Sequence, residues 1–286
     1  MTVELAVEPR GPYSLALSAR TASDATRTFR DGVFAQVLAV GGRVEIARAW
    51  QAPHGTVTIV AESPASADRL RWILALDDDH SDFLRRVRDD PMLGSASRAL
   101  QGLRPVRVPT VAQALLRAFC GQLIEAKVAR RLEQTIIRKL CAAGPDRLHV
   151  SPTTSDLGAI APMQLRALGL HTRRAAALVR LCRSIDLERL HAQPTETIAL
   201  RLERERGLGP WSIGVVCLEG LGRMDYGLVG DLGLIKLLRA LRGRPVEGWE
   251  TAELLEPYGE WAGIASVYLL AGFGRGLLPV GEARAA

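Results

Sequence analysis

The hydrophobic pattern of the chain changes period near Pro109, and this change restricts the fold more than any other feature. Before it, over residues 12–62, apolar residues alternate or run in short β-branched stretches, as half-buried and buried strands require. Tyr13, Leu15 and Leu17 alternate; Val33 to Val40, Val44 to Trp50 and Val57 to Val60 follow, with Gly41-Gly42 as a hairpin turn. Residues 65–90 turn helical, with Leu70, Ile73, Leu74 and Leu76 on one face and Asp77-Asp78-Asp79 capping a second short helix. After Pro109 the strand signal ends and short amphipathic helices follow, separated by Gly and Pro. Thr110 caps the first, a second runs to Leu140, and later ones start near Ser155, Pro162, Arg173, Thr197, Pro210, Asp231, Thr251 and Trp261. The expectation is an α+β N-terminal antiparallel sheet domain over residues 1–105 and an all-α domain over residues 106–286.

With 286 residues, 48% of them hydrophobic and 24% charged, such a chain can bury its own core without metals or disulfides. No apolar run reaches the roughly 18 residues that a bilayer crossing needs, and MTVELAVEPRGPYSL lacks the basic and apolar regions of a secretory signal. A cytoplasmic protein without a membrane partner is expected. Cys120, Cys141, Cys182 and Cys217 are widely spaced with no C-x-x-C pair, and read as small buried residues. The histidines at 54, 80, 149, 171 and 191 are equally scattered, so neither a zinc site nor a Cys/His nucleophile has a constellation to stand on. The net charge of +6 is compatible with a polyanion.

Residues 197–238, TIALRLERERGLGPWSIGVVCLEGLGRMDYGLVGDLGLIKLL, carry the chemistry. An amphipathic helix leads into the turn Gly207-Leu208-Gly209, Pro210 opens a second helix, and a loop ends at Asp231 before a third. A glycine hairpin between two helices makes an anion site: the backbone can approach closely and the second helix presents unpaired N–H groups at its positive end. A nucleic-acid phosphate fits there. Asp231 by itself reads as a helix N-cap.

G-L-G-P-W, followed some twenty residues later by V-G-D-L-G-L, resembles the hairpin and Gly/Pro–Asp loop of the helix-hairpin-helix (HhH-GPD) superfamily of DNA glycosylases. It is closest to the alkylpurine branch, the DNA-3-methyladenine glycosylase II type. Leu115 to Ile124, LLRAFCGQLI, resembles the helix–Gly-Gln–loop element of that branch, and Leu165 to Leu178 its second helical hairpin. The order of sheet domain and helical domain is also similar, the branch's first domain having a fold like the TATA-binding protein.

The resemblance implies a monofunctional DNA N-glycosylase that flips alkylated purines out of double-stranded DNA, in base excision repair, as a nucleoid-associated monomer. It makes Asp231 the catalytic carboxylate and puts Gln122, Leu123, Gly207, Leu208, Gly209, Trp211 and Ser212 on DNA, with Leu123 as the wedge that fills the emptied stack. Purines alkylated at N3 or N7 are already cationic, so a lone carboxylate that stabilises oxocarbenium character and orients water is sufficient. Trp211 stands where bifunctional relatives carry an amine nucleophile, so no lyase step is expected. No cofactor is required; a structural monovalent cation would be held by the main-chain carbonyls of Glu203, Glu205 and Leu208, although Glu205-Arg206 replaces the usual apolar-Pro pair. At two base-pocket places where the branch has aromatics this chain has Val215 and Leu270, which leaves Trp211, with Tyr226 or Tyr268, as the stacking surface. An aliphatic pocket of this kind selects less by charge and more by shape.

Readings of other classes are a lesion-binding homologue with weak or altered catalysis, an oxidised-purine glycosylase, and a helix-turn-helix transcription factor. Retention of Asp231 argues against the first, the missing lysine against the second, and the Asp-bearing loop, which has no task in it, against the third.

Overall fold

The computed structural model describes residues 2–122 and 124–280. Five antiparallel strands, β1 (Val3–Val7), β2 (Arg27–Arg30), β3 (Val33–Val40), β4 (Arg43–Gln51) and β5 (Val57–Ala61), form one sheet in the order β1-β5-β4-β3-β2. Gly41 and Gly42 both have positive φ, 55° and 77°, as the two-residue turn joining Val40 to its partner Arg43 requires. Strand β1 was not among the expected strands; only Val7 of its residues is buried, so this edge carries little apolar signal.

The alternation of Tyr13, Leu15 and Leu17 is not a strand. Residues Leu15–Ala19 form helix α1, because the Ser14 side chain accepts from Leu17 N and the buried positions Leu15, Ser18 and Ala19 follow helical spacing. Helix α2 (Pro64–Ile73) lays Leu70 and Ile73 on the sheet against Phe34, Leu38, Val57 and Ile59. Two short helices, α3 (Ser81–Arg86) and α4 (Gly94–Ala99), follow. Of the three aspartates before α3 only Asp79 caps it, through Ser81 N; Asp77 pairs with Arg71 and Asp78 with Arg107.

The helical part comprises α5 (Val111–Gly121), α6 (Ala126–Leu140), α7 (Thr154–Ala159), α8 (Pro162–Ala167), α9 (Thr172–Ser184), α10 (Thr195–Glu203), α11 (Pro210–Val215), α12 (Leu232–Arg242), α13 (Thr251–Leu255) and α14 (Ala262–Phe273). Each expected start lies within two residues of an observed one, since Ser/Thr/Asp caps and first-turn prolines mark helix entry locally. No helix among the described residues is long and apolar enough to cross a membrane.

These helices build two cores. One joins α5 to α9 and α11 through Leu115, Phe119, Leu178 and Ile213. The other joins α12 and α14 to the earlier helices α3 and α4 through Leu234, Leu269, Phe83 and Ala96. Helix α11 runs on into a π-helical turn, Val216–Leu221, which lets Val216 and Cys217 enter the first core while Val215 and Leu218 enter the second. The cleft described below lies where the cores meet.

A buried ion network holds the sheet to the helices. Arg117 of α5 reaches Asp24 at 2.8 Å, Glu133 of α6 at 3.0 Å and the Glu219 carboxylate; Asp24 also pairs with Arg27 at 3.0 Å, whose Nη1 donates to Arg107 O at 2.5 Å. The three carboxylates have only two arginines between them, and burial pushes the Glu133 carboxyl above its usual range despite Arg117. Arg117→Leu, which strands Glu133 in the interior and leaves Asp24 with Arg27 as its one cation, is expected to cost about 3–5 kcal/mol in urea denaturation at pH 7.5, and Glu133→Gln in that background to recover part of it. A loss below about 1 kcal/mol would mean that the network behaves like exposed pairs.

Candidate active site

Gly207 and Gly209 shape the hairpin between α10 and α11 in different ways. Gly207 needs its positive φ of 98°, which disfavours any side chain. Gly209 is extended, and a Cβ built on it meets nothing within 4 Å, so its face is open to an approaching ligand. The hairpin is tied to α5 by Gln122, whose Nε2 donates to Gly207 O at 2.6 Å and to Ser212 Oγ at 3.0 Å. Gln122 is thus a clamp on the hairpin. Ser212 and Leu208 are buried, so neither side chain is presented at the surface. Leu123, expected as a wedge, lies outside the described residues.

Asp231 caps α12: its Oδ1 accepts from Gly233 N at 2.7 Å. Its second oxygen, Oδ2, accepts from Trp211 Nε1 at 2.9 Å. N-cap and site residue are therefore the same half-buried carboxylate, and the indole N–H fixes its plane relative to the hairpin. Two glycines make this possible. A Cβ on Gly121 would stand 2.5 Å from the Trp211 ring, and one on Gly233 2.4 Å from Leu270 Cδ2. Behind the carboxylate, the buried Thr251 hydroxyl accepts from Gly230 N at 2.7 Å and donates to Gly248 O at 2.7 Å, which holds Gly230 in its positive φ of 86°.

A cleft of about 1460 Å³ opens over this carboxylate. Gly209, Trp211, Val215, Asp231 and Leu270 line it, so the structure brings the hairpin, the carboxylate and the two aliphatic pocket positions together. Its rim is basic: Arg20, Lys127, Arg130, Arg174, Lys236 and Arg275 surround the opening. That charge was not legible in the sequence, because these residues come from five separate segments.

Tyr226 and Tyr268 do not belong to the cleft, which corrects their assignment to the base pocket. Tyr226 packs against the core behind the hairpin, where burial and the neighbouring Glu203 push its phenol up to about 12. Tyr268 is buried against Phe83, and its hydroxyl donates to Leu100 O and Leu103 O. Trp249 lines the cleft and was missed; a lone tryptophan in a Gly-Trp-Glu turn carries no sequence signal for it.

At the expected cation position, the Glu205 carbonyl already accepts from Leu208 N at 3.2 Å, and Arg180 approaches the Glu205 carboxylate at 3.8 Å and Arg206 O at 3.4 Å. The cysteines are free; burial pushes Cys141, Cys182 and Cys217 up to about 12, which removes them as thiolates at neutral pH.

No family model matches the chain. The fold is of the helix-hairpin-helix type, and the resemblance to HhH-GPD DNA glycosylases is borne out by relatives and by solved structures. The chain is 24% identical over 205 residues to the DNA-3-methyladenine glycosylase of Bacillus subtilis, covering 68% of this chain and 67% of that one. It is 26% identical over 254 residues to a probable bifunctional transcriptional activator/DNA repair enzyme AlkA of Mycobacterium tuberculosis, covering 82% of this chain but only half of that protein. Among solved structures, the 3-methyladenine DNA-glycosylase of Archaeoglobus fulgidus superimposes with a TM-score of 0.82 at 20% identity over 94% of this chain and 97% of that one. An 8-oxoguanine glycosylase/lyase of Clostridium acetobutylicum in complex with DNA reaches 0.76 at 15% identity, over 96% and 98%. The fold is thus shared across proteins named for different lesions.

Thr251→Val keeps the shape but leaves Gly230 N–H and Gly248 O unpaired in a half-buried place. It is expected to lower stability by about 1–3 kcal/mol in thermal denaturation, with Thr251→Ser close to wild type. Equal loss in the two variants would assign the effect to packing.

Proposed function

We propose that the protein is a monofunctional DNA N-glycosylase of the DNA-3-methyladenine glycosylase II type, acting as a monomer on duplex DNA in alkylation repair. The observation that carries this reading is the carboxylate of Asp231, bonded to Trp211 and Gly233 N in a cleft that also contains the open face of Gly209. DNA phosphate docks on the Gly207–Gly209 turn and the basic rim, and the damaged nucleotide is extruded toward Asp231.

A purine alkylated at N3 or N7 needs no proton to leave. As the C1′–N9 bond breaks, its electron pair stays with the base and positive charge grows on the sugar, where the carboxylate stabilises it. Water then adds to C1′ and gives up its proton, which Asp231 accepts and passes to solvent. The N–H bonds to each oxygen hold the carboxylate still during the reaction, so little reorganisation is needed as charge appears. No step needs a cofactor, and none is routed through a cation at Glu203, Glu205 and Leu208. With Val215 and Leu270 in place of aromatics, the pocket selects by shape and admits larger adducts than methyl groups.

Purified protein incubated with methylated duplex DNA is expected to release alkylated purines, read by mass spectrometry, and to leave alkali-labile abasic sites. Asp231→Asn should abolish release while duplex affinity stays within a few-fold, because the carboxylate acts on charge present only in the transition state. An Asn variant that still excises would remove Asp231 from the mechanism.

Borohydride is expected to trap no covalent protein–DNA product, since an indole and not an amine stands at position 211. Trapping in good yield would instead assign a lyase step to one of the cleft lysines.

A further inference from the structure

Two large apolar side chains that line the cleft are also open to solvent, Leu232 at 40% exposed and Trp249 at 67%. Trp249 sits on the single turn Gly248–Glu250, and that turn is fixed before any ligand arrives. The Glu250 carboxylate accepts from Glu247 N at 2.8 Å and from Arg242 and Arg244 at 2.5 Å each, and these partners, Arg244 first, hold it down at about 2. Thr251, next along, bridges the turn to Gly230 through its hydroxyl. A Cβ on Gly248 would lie 3.6 Å from Gly230 Cα, so the turn abuts the residue before Asp231.

The same hydroxyl therefore sets both the catalytic loop and the mount of an exposed indole. The aliphatic residues Val215, Leu228, Val267 and Leu270 line the same cleft as Trp249 and Trp211. A rigid, solvent-facing indole loses almost no conformational freedom when a flat ligand covers it. An electron-poor purine is such a ligand, since cation–π attraction is strongest over tryptophan.

We propose that Trp249 is a stacking platform for the purine presented to Asp231 and a specificity-determining residue that biases the site toward cationic bases. This rests on the glycosylase reading above. It restores selection by charge to a pocket in which Val215 and Leu270 are aliphatic.

The test is single-turnover excision from duplexes carrying N7-methylguanine, which is cationic, or hypoxanthine, which is neutral, by wild type, Trp249→Leu and Trp249→Phe. Both variants are expected to fold, because the indole lies mostly outside the core. Trp249→Leu should lower the rate on N7-methylguanine about tenfold more than on hypoxanthine, with Trp249→Phe between it and wild type. N7-methylguanosine, kept cationic by working at mildly acidic pH, should also quench the intrinsic fluorescence of wild type at lower concentration than that of Trp249→Leu. Wild-type excision with equal loss on both lesions, or with no loss, overturns the platform and leaves the glycosylase reading standing. A wild type that releases neither base overturns that reading, and the platform with it.

Discussion

The indole N–H of Trp211 donates to Asp231 Oδ2 at 2.9 Å, and through that bond a helix hairpin and a separate helix N-terminus come to share one carboxylate. Most of the local structure follows from keeping this geometry. Gly121 leaves room for the ring, Gln122 ties the hairpin to α5, Gly233 offers its N–H without a side chain to strike Leu270, and Thr251 holds the positive-φ glycine before the carboxylate. Each interaction is modest alone; together they fix the orientation of one half-buried carboxylate.

The second constraint is electrostatic and lies at the floor of the same cleft. Arg27, Arg117 and Glu133 line it while being bonded within the network that joins sheet to helices. Their charges are spent on one another, whereas the rim arginines and lysines are free to face a polyanion. The cleft thus has an internally paired floor and a basic rim.

The fold by itself does not fix a lesion. Structures named for 3-methyladenine and for 8-oxoguanine superimpose on this chain with TM-scores of 0.82 and 0.76, so one scaffold is compatible with either name. Trp211, Val215, Leu270 and Trp249 all line the cleft.

Local chemistry was legible in the sequence wherever the structure answers to neighbours in the chain. Caps and first-turn prolines placed the helices, Gly41-Gly42 the hairpin, and G-L-G-P-W with V-G-D-L-G-L the turn and the carboxylate, since backbone conformation there depends on residues a few positions apart. The alternation at Tyr13 misled because a Ser14 cap and burial at helical spacing outweighed three alternating residues. Tyr226 and Tyr268 misled because nothing local says which side of a packed helix faces a cleft. Only the tertiary structure could bond Trp211 to Asp231 across twenty residues, gather the Arg117 network from four segments, or set Thr251 behind Gly230. Such contacts are decided by how two cores pack around a shared helix, and that packing is a property of the whole chain.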